Sequence, residues 1–313
     1  MSKTLTQLQG ELDRLYQLNS REEMEAFFMN EILDHVPGCC SVSDEYIFLM
    51  NEAGSYYRGT SQYKKAASYF QGLASTMERF QLEHTVGYAT VFNNLAGCFR
   101  MAGAIEEAES IFQQAIALYE AAGAQDTMEY ASALNNLSIC YQASCQWEQA
   151  LKYQRRALSC IEAIPGQSET LAASLTNYAS LCYAAGLKDD AWTSIGKAIT
   201  CLEESGHTHS STYIGALHVR AYLYSQTGQL DRALAEYETV LKLAEKLFGR
   251  NSDYSAASKN AAIICHRLGK LRQAVDYLSE SLCIDRQIFP PGHPRIADSE
   301  QLLATYQREV ISP

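Results

Sequence analysis

A segment of about 42 residues recurs six times along this chain. A small residue marks the same place in each copy, and successive anchors are 42, 42, 41, 42 and 41 residues apart. The anchors are Ala66, Ala108, Ala150, Ala191, Ala233 and Ala274. Five residues before each anchor stands Gly103, Gly186, Gly228 or Gly269, with Ser61 and Cys145 in the other two copies. A period of this length indicates an array of small structural units that stack on one another.

Each copy predicts two helices joined by a tight turn. In the second copy Phe92, Leu95 and Phe99 recur at i, i+3 and i+7, which is one apolar stripe of an amphipathic helix. Gly103 then suits a left-handed turn at the helix end. A second apolar stripe begins at Ala108. Neither helix pair can bury both stripes alone, so we expect neighbouring pairs to stack.

The repeats divide the chain into predicted regions. We assign residues 1–43 to an N-terminal helical cap and residues 44–294 to six repeats, followed by a C-terminal capping helix at 295–313. The approximate repeats are 46–87, 88–129, 130–170, 171–212, 213–253 and 254–294. In the N-terminal region Leu8, Leu12 and Leu15 form a stripe, and Ser20 with Glu23 forms a capping box. A short coiled coil that makes a homodimer through these helices is the alternative to a cap.

The pattern resembles the tetratricopeptide repeat. The residues that carry the resemblance in the second copy are Leu95, Ala96, Phe99, Gly103, Ile105, Ala108, Phe112 and Ala115. The longer period and the strings "NNLA" and "NNLS" are similar to the kinesin-light-chain type of this repeat. The resemblance implies an all-α, right-handed α-solenoid of helix-turn-helix repeats with a concave groove. It also implies that a protein or peptide partner binds in that groove.

Polar side chains, asparagine above all, occupy the side of each first helix that faces away from the apolar stripe. In a repeat of the resembled type this side lines the groove. An amide side chain offers both donors and an acceptor, as a peptide bond does, so the asparagines suit an extended peptide. We predict that the peptide- or partner-binding residues are Asn51, Arg58, Asn93, Asn94, Arg100, Asn135, Asn136, Asn177, His218, Tyr222, Lys259 and Asn260.

A second interpretation of the asparagines stays open. Asparagine is a poor helix former, so its recurrence inside helices needs a reason. The amides either bind a ligand or hydrogen-bond to the neighbouring repeat and set its stacking angle. Both can hold where a repeat carries a pair, as at Asn93 and Asn94 or at Asn135 and Asn136.

The predicted groove is weakly basic, although the chain is acidic. The sequence has 25 Lys and Arg against 36 Asp and Glu, a formal net charge of -11. Of the first-helix positions assigned to the groove, four are Lys or Arg and only Glu52 is acidic. A basic groove in an acidic protein favours ligands with acidic groups. The acidic total argues against nucleic acid as a partner, because binding to phosphates needs a basic surface.

Other functional classes lack a signal. The sequence has no phosphate-binding glycine loop and no clustered nucleophile and base, so we expect no enzymatic activity, no cofactor and no metal. The first residues, "MSKTLTQLQGELDR", lack the apolar segment of a secretory signal. No apolar run approaches the roughly 18 residues of a membrane span. We therefore expect a cytoplasmic protein that does not bind membranes.

Two functions fit this pattern. The first is a non-enzymatic protein–protein interaction module or scaffold. The alternative is a peptide-gated regulator, which resembles the Rap-type bacterial peptide-pheromone sensors. In such a regulator a small peptide changes the superhelix and releases a target.

Overall fold

The computed structural model describes residues 3–18 and 20–311, and these residues form helices joined by short turns. Residues 1–2 and 312–313, which end the two predicted caps, lie outside the described residues. Contacts divide the chain into two compact units, Met1–Ile164 and Pro165–Pro313, which we call the N-terminal half and the C-terminal half.

The described residues contain fifteen helices and no strand, which confirms the predicted all-α solenoid fold. The N-terminal half contains α1 (Leu5–Leu18), α2 (Arg21–Asp34), α3 (Asp44–Gly59), α4 (Tyr63–Arg79), α5 (Val86–Met101), α6 (Ile105–Ala121), α7 (Met128–Ala143) and α8 (Trp147–Ala163). The C-terminal half contains α9 (Ser168–Ala184), α10 (Lys188–Glu204), α11 (Ser211–Gln226), α12 (Leu230–Phe248), α13 (Ser252–Arg267), α14 (Leu271–Ile288) and α15 (Pro294–Ile311).

The two helices of each hairpin approach closely at small residues. All six anchor alanines are completely buried. Gly54 shows the reason for small residues on the opposing helix, because a Cβ atom there would lie 2.5 Å from the Phe70 ring of α4. The missing side chain therefore lets Phe70 reach the backbone of α3. Phe70 and Phe112, at equivalent positions of α4 and α6, are both fully buried.

The turn within each hairpin has the predicted left-handed conformation. Gly103, Gly186, Gly228 and Gly269 have positive φ angles. The two non-glycine substitutes adopt the same conformation, with φ of 60° at Ser61 and 56° at Cys145. The repeat therefore dictates the backbone even where the residue disfavours it.

A recurring cap starts most first helices, and the periodicity analysis did not identify it. A Ser, Thr or Asn side chain accepts the backbone N–H of a tyrosine three residues later, which satisfies one of the free donors of the helix start. The pairs are Ser43–Tyr46, Thr85–Tyr88, Thr127–Tyr130, Ser210–Tyr213 and Asn251–Tyr254. Three of these tyrosines also donate their hydroxyl to a glutamate of the preceding second helix, at Glu78, Glu120 and Glu203. The tyrosine thus ties consecutive hairpins together.

The N-terminal region forms the two predicted helices, α1 and α2. Leu8, Leu12 and Leu15 are buried, and the Ser20 side chain accepts the backbone N–H of Glu23 as the capping box predicts. The proposed boundaries of the caps and repeats stay a prediction, as does a homodimer through these helices.

At the other end, a buried polar cluster joins α13, α14 and α15. The Asp285 carboxylate is fully buried and accepts hydrogen bonds from the Ser255 hydroxyl at 2.5 Å and from Arg295 Nε at 3.0 Å. Arg295 also donates to the backbone carbonyl of Ser252 at 3.1 Å. The cluster holds the last helix against the last hairpin.

Candidate functional site

The twelve predicted residues all lie on first helices of hairpins. We call those of each half its polar face. The polar face of the N-terminal half comprises Asn51 and Arg58 on α3, Asn93, Asn94 and Arg100 on α5, and Asn135 and Asn136 on α7. The polar face of the C-terminal half comprises Asn177 on α9, His218 and Tyr222 on α11, and Lys259 and Asn260 on α13. All are half-buried except Asn177 and Tyr222, which are exposed.

In the N-terminal half, asparagines contact the next first helix. Asn136 Nδ2 donates to Asn93 Oδ1 across 3.3 Å, which joins α7 to α5. Arg58 Nη1 donates to Asn94 Oδ1 at 3.3 Å, which joins α3 to α5. Gly97 makes room for this arginine, because a Cβ atom there would lie 3.0 Å from Arg58 Nη1. These contacts support the interpretation that the amides set repeat stacking.

Other polar atoms of the same face lack a partner. Asn51 Oδ1, Asn135 Oδ1 and Arg100 Nε are buried and form no hydrogen bond within the described part of the chain. A buried polar atom without a partner costs about 1–3 kcal/mol. These groups are therefore the least satisfied part of the polar face.

Two buried cysteines lie close enough to the arginines of this face for the arginine charges to affect their pKa. Burial raises the pKa of the Cys98 thiol to about 11, against the opposing effect of the Arg58 charge. Burial likewise raises the pKa of Cys140 to about 11, here opposed by Arg100. Both thiols therefore stay protonated at neutral pH and act as small core residues.

In the C-terminal half, the same contact recurs with a histidine. Asn260 Nδ2 lies 2.9 Å from His218 Nε2, which joins α13 to α11. Because an amide nitrogen only donates, His218 Nε2 accepts, and the proton of the neutral ring is on Nδ1. Burial lowers the pKa of His218, with a smaller opposing effect from Asp253. Asn260 also hydrogen-bonds the hydroxyl of Tyr237, whose ring packs edge-on to His218 with centroids 5.2 Å apart.

The remaining members of this face make fewer polar contacts with neighbouring residues. Asn177 is exposed, and neither it nor Lys259 has a hydrogen bond or ion pair within residues 3–18 and 20–311. Tyr222 is 43% exposed and packs edge-on to Tyr183 with ring centroids 5.9 Å apart. These three side chains are available to a ligand.

A cavity of about 330 Å³ opens beside this histidine. It lies between α11 and α13 and is lined by Ser211, Ile214, Gly215, His218, Asp253 and Ala256. His218 Nε2 is occupied by Asn260, so Nδ1–H is the ring donor that remains for a ligand. Two larger hollows of about 530 and 460 Å³ border α14, but no predicted residue lines them.

Sequence reasoning missed the contribution of Ser211 and Asp253 to this cavity. The signal that could have indicated the cavity was the size of the residue at one repeat position. Eighteen residues before the anchor, the N-terminal half carries Phe48, Thr90 and Ser132, whereas α11 and α13 carry Gly215 and Ala256. A Cβ atom on Gly215 would meet nothing within 4 Å, so the small residue opens into empty space.

The described residues contain no group of three His, Cys, Asp or Glu side chains that could hold a metal ion. No helix of the described chain combines the length and the apolar character needed to cross a bilayer.

The fold is a series of helical hairpins whose first helices each carry a polar face. The family model of the tetratricopeptide repeat matches residues 46–121, 129–204 and 213–287, which is more than half of the chain. This protein therefore belongs to the tetratricopeptide repeat family. The curated proteins include no sequence that matches it.

Solved structures show the same fold at low sequence identity. BtubC (BKLC) from P. vanneervenii has a TM-score of 0.60 at 20% identity, over 64% of this chain and 81% of that one. A putative kinesin light chain with nearly identical repeats from Podosopora anserina has a TM-score of 0.56 at 17% identity, over 64% of this chain and 95% of that one. The apo form of RapI has a TM-score of 0.64 at 14% identity, over 90% of this chain and 96% of that one. The kinesin-light-chain likeness expected from the repeat length is confirmed.

Proposed function

We propose that this protein is a non-enzymatic interaction module that binds an extended peptide or partner segment along its polar faces. The observation that carries the proposal is that the Asn93 and Asn136 amides each use only one of their two polar atoms to join helices. In the Asn136–Asn93 contact one Nδ2 and one Oδ1 are engaged, and the other polar atom of each side chain has no partner in the described residues. A half-buried amide can therefore join two helices and still present a donor or an acceptor to a ligand.

The spacing of these amides suits a peptide backbone. Neighbouring first helices lie about 10 Å apart. An extended peptide advances about 3.3 Å per residue, so amides on consecutive helices meet every third peptide residue. The unpaired oxygens of Asn51 and Asn135 add to this array, because each gains a donor if its amide rotates toward a peptide N–H. Backbone recognition of this kind binds many sequences, and charged side chains then select among them.

Lys259 is the basic residue of the predicted site that is best placed to select an acidic group. It is half-buried and has no ion pair in the described chain. The other basic residues are less available, since Arg58 is bound to Asn94 and Arg100 has a buried Nε. We assign the acidic preference of the partner to Lys259.

Selection from a random peptide library on the full chain tests this function. Asn177→Ala is the discriminating variant, because Asn177 is exposed and holds no neighbour. We expect the variant to be as stable as the wild type, or about 0.5 kcal/mol more stable from helix propensity. We expect its affinity for a selected peptide to fall about three- to tenfold through the loss of one or two hydrogen bonds.

Gln114→Ala on the second helix α6 is the matched control, since Gln114 is also an exposed helical amide. It should leave peptide affinity unchanged in a fluorescence anisotropy titration. The proposal fails if the library yields no binder, or if Asn177→Ala and Gln114→Ala bind the selected peptides as the wild type does.

The peptide-gated sensor is the second candidate. It is favoured by the likeness to RapI, which extends over 90% of this chain and therefore beyond the repeats themselves. A sensor of this kind should change its radius of gyration in small-angle scattering when a selected peptide is added. A scaffold should bind the same peptide at constant radius.

A further inference from the structure

The cavity between α11 and α13 has a chemical character of its own. Its wall is aliphatic at Ile214 and Ala256, and its polar groups are the Ser211 hydroxyl, the His218 ring and the Asp253 carboxylate. A volume of about 330 Å³ lies at the lower end of the roughly 300–1,000 Å³ of ligand pockets. It fits one long side chain better than a cofactor.

The charges around the cavity select against an anion. Burial lowers the pKa of His218, so the ring is neutral at pH 7 and offers only a neutral N–H donor. Asp253 is exposed and carries the only formal charge of the lining. A ligand carboxylate would face this negative charge.

We propose that this cavity is a subsite for a lysine or arginine side chain of the bound peptide. The inference rests on the proposed peptide-binding function. The aliphatic stem of the side chain packs on Ile214 and Ala256, and the cation reaches Asp253 at the mouth. A neutral His218 does not repel it. The space left by Gly215 holds the stem.

The test is the same library selection, now read for sequence. On the wild type we expect Lys or Arg at one fixed position of the selected peptides. Replacing that basic residue by glutamine in a synthetic peptide should weaken binding to the wild type about two- to fivefold, because Asp253 is exposed. The same replacement should have little effect on binding to Asp253→Asn, because the partner charge is already absent.

Two matched controls keep the result specific. Asp189→Asn changes an exposed carboxylate at the same place in the first turn of α10, and it should bind like the wild type. Gly215→Phe fills the cavity and should abolish the basic preference, whereas Gly196→Phe places the same ring on the exposed side of α10. Circular dichroism melts show that each variant is folded, and Asp253→Asn carries the test if Gly215→Phe does not fold.

The outcomes separate the two proposals. Selected peptides that depend on Asn177 but show no basic preference would overturn the subsite and leave the binding function standing. A basic preference that Asp253→Asn does not change would likewise overturn it. A library that yields no binder would overturn the binding function, and the subsite with it.

Discussion

Two ion pairs connect α14 to α15, and the longer of them should be the stronger. Arg295 Nε lies 3.0 Å from Asp285 Oδ2, whose carboxylate is fully buried. Arg286 Nη2 lies 2.7 Å from Glu300 Oε1, and these side chains are 58% and 47% exposed. Water screens the second pair and competes for both of its partners, so an exposed pair contributes at most about 1 kcal/mol. Distance alone would rank the two pairs in the opposite order.

Arg295→Met should destabilise the protein by about 2–4 kcal/mol. Removing one partner of a buried ion pair costs about 3–5 kcal/mol, because the other charge is left uncompensated. We reduce this range because the Arg295 side chain is 27% exposed and water can enter the vacated space. The hydrogen bond that the Ser255 hydroxyl donates to Asp285 does not replace the lost cation, since a hydroxyl carries no charge. Arg286→Met should cost less than about 1 kcal/mol.

Urea unfolding followed by circular dichroism measures both variants. The double variant Asp285→Asn with Arg295→Met completes the test, because a neutral amide removes the buried charge and should recover part of the loss. Equal destabilisation by Arg295→Met and Arg286→Met would show that burial does not decide the strength of these pairs. A double variant weaker than Arg295→Met alone would show that an uncompensated charge is not the cause.

Three further predictions follow from the turns and the polar faces. Cys145→Gly should raise the free energy of unfolding by about 0.5–1 kcal/mol, because glycine adopts the positive φ angle at this turn without strain. Gly103→Ala should lower it for the opposite reason, and thermal melts measure both variants. The lowered pKa of His218 means that the unfolded state binds the proton more readily, so its contribution to stability is complete above about pH 6.5 and falls as the pH drops below that value. The loss of melting temperature between pH 7.5 and 5.5 should therefore be smaller in His218→Gln. The Asn93–Asn136 contact should give a coupling of about 0.5–1 kcal/mol in a double-mutant cycle of Asn→Ala variants, and no coupling would show that these amides do not set stacking.

The sequence predicted the hairpins well because each of their features is local. Helix periodicity identifies the apolar stripes, and the position of the turn fixes a positive φ angle. Ser61 and Cys145 were assigned to that turn by alignment with glycines, and both adopt its conformation. Burial of all six anchor alanines follows from the same alignment.

The contacts between hairpins could not be predicted in this way. Periodicity places Asn93 and Asn136 on one side of their helices, but it does not show whether an amide reaches the next helix or the solvent. That depends on side-chain rotation and on the distance between helices. The cavity beside His218 is also a property of two helices together.

One departure from the repeat did carry a readable signal. Eleven residues after the anchor, the first five repeats have Met77, Tyr119, Ile161, Leu202 and Ala244, all of them buried, whereas the sixth has Asp285. A carboxylate at a core position needs a partner. Arg295, the first arginine after the prolines, supplies it from the closing helix.

Departures from the repeat therefore indicate where this protein differs from a uniform array. A position that matches in all six repeats serves packing, because every hairpin must stack in the same way. A position that changes size or charge in one or two repeats is free of that demand, and its change alters the surface or adds a contact. Phe48 and Gly215 occupy equivalent positions, and the glycine lines a cavity. Filling that cavity should change which peptides bind while the hairpins themselves remain stacked, since a Cβ atom on Gly215 meets nothing within 4 Å.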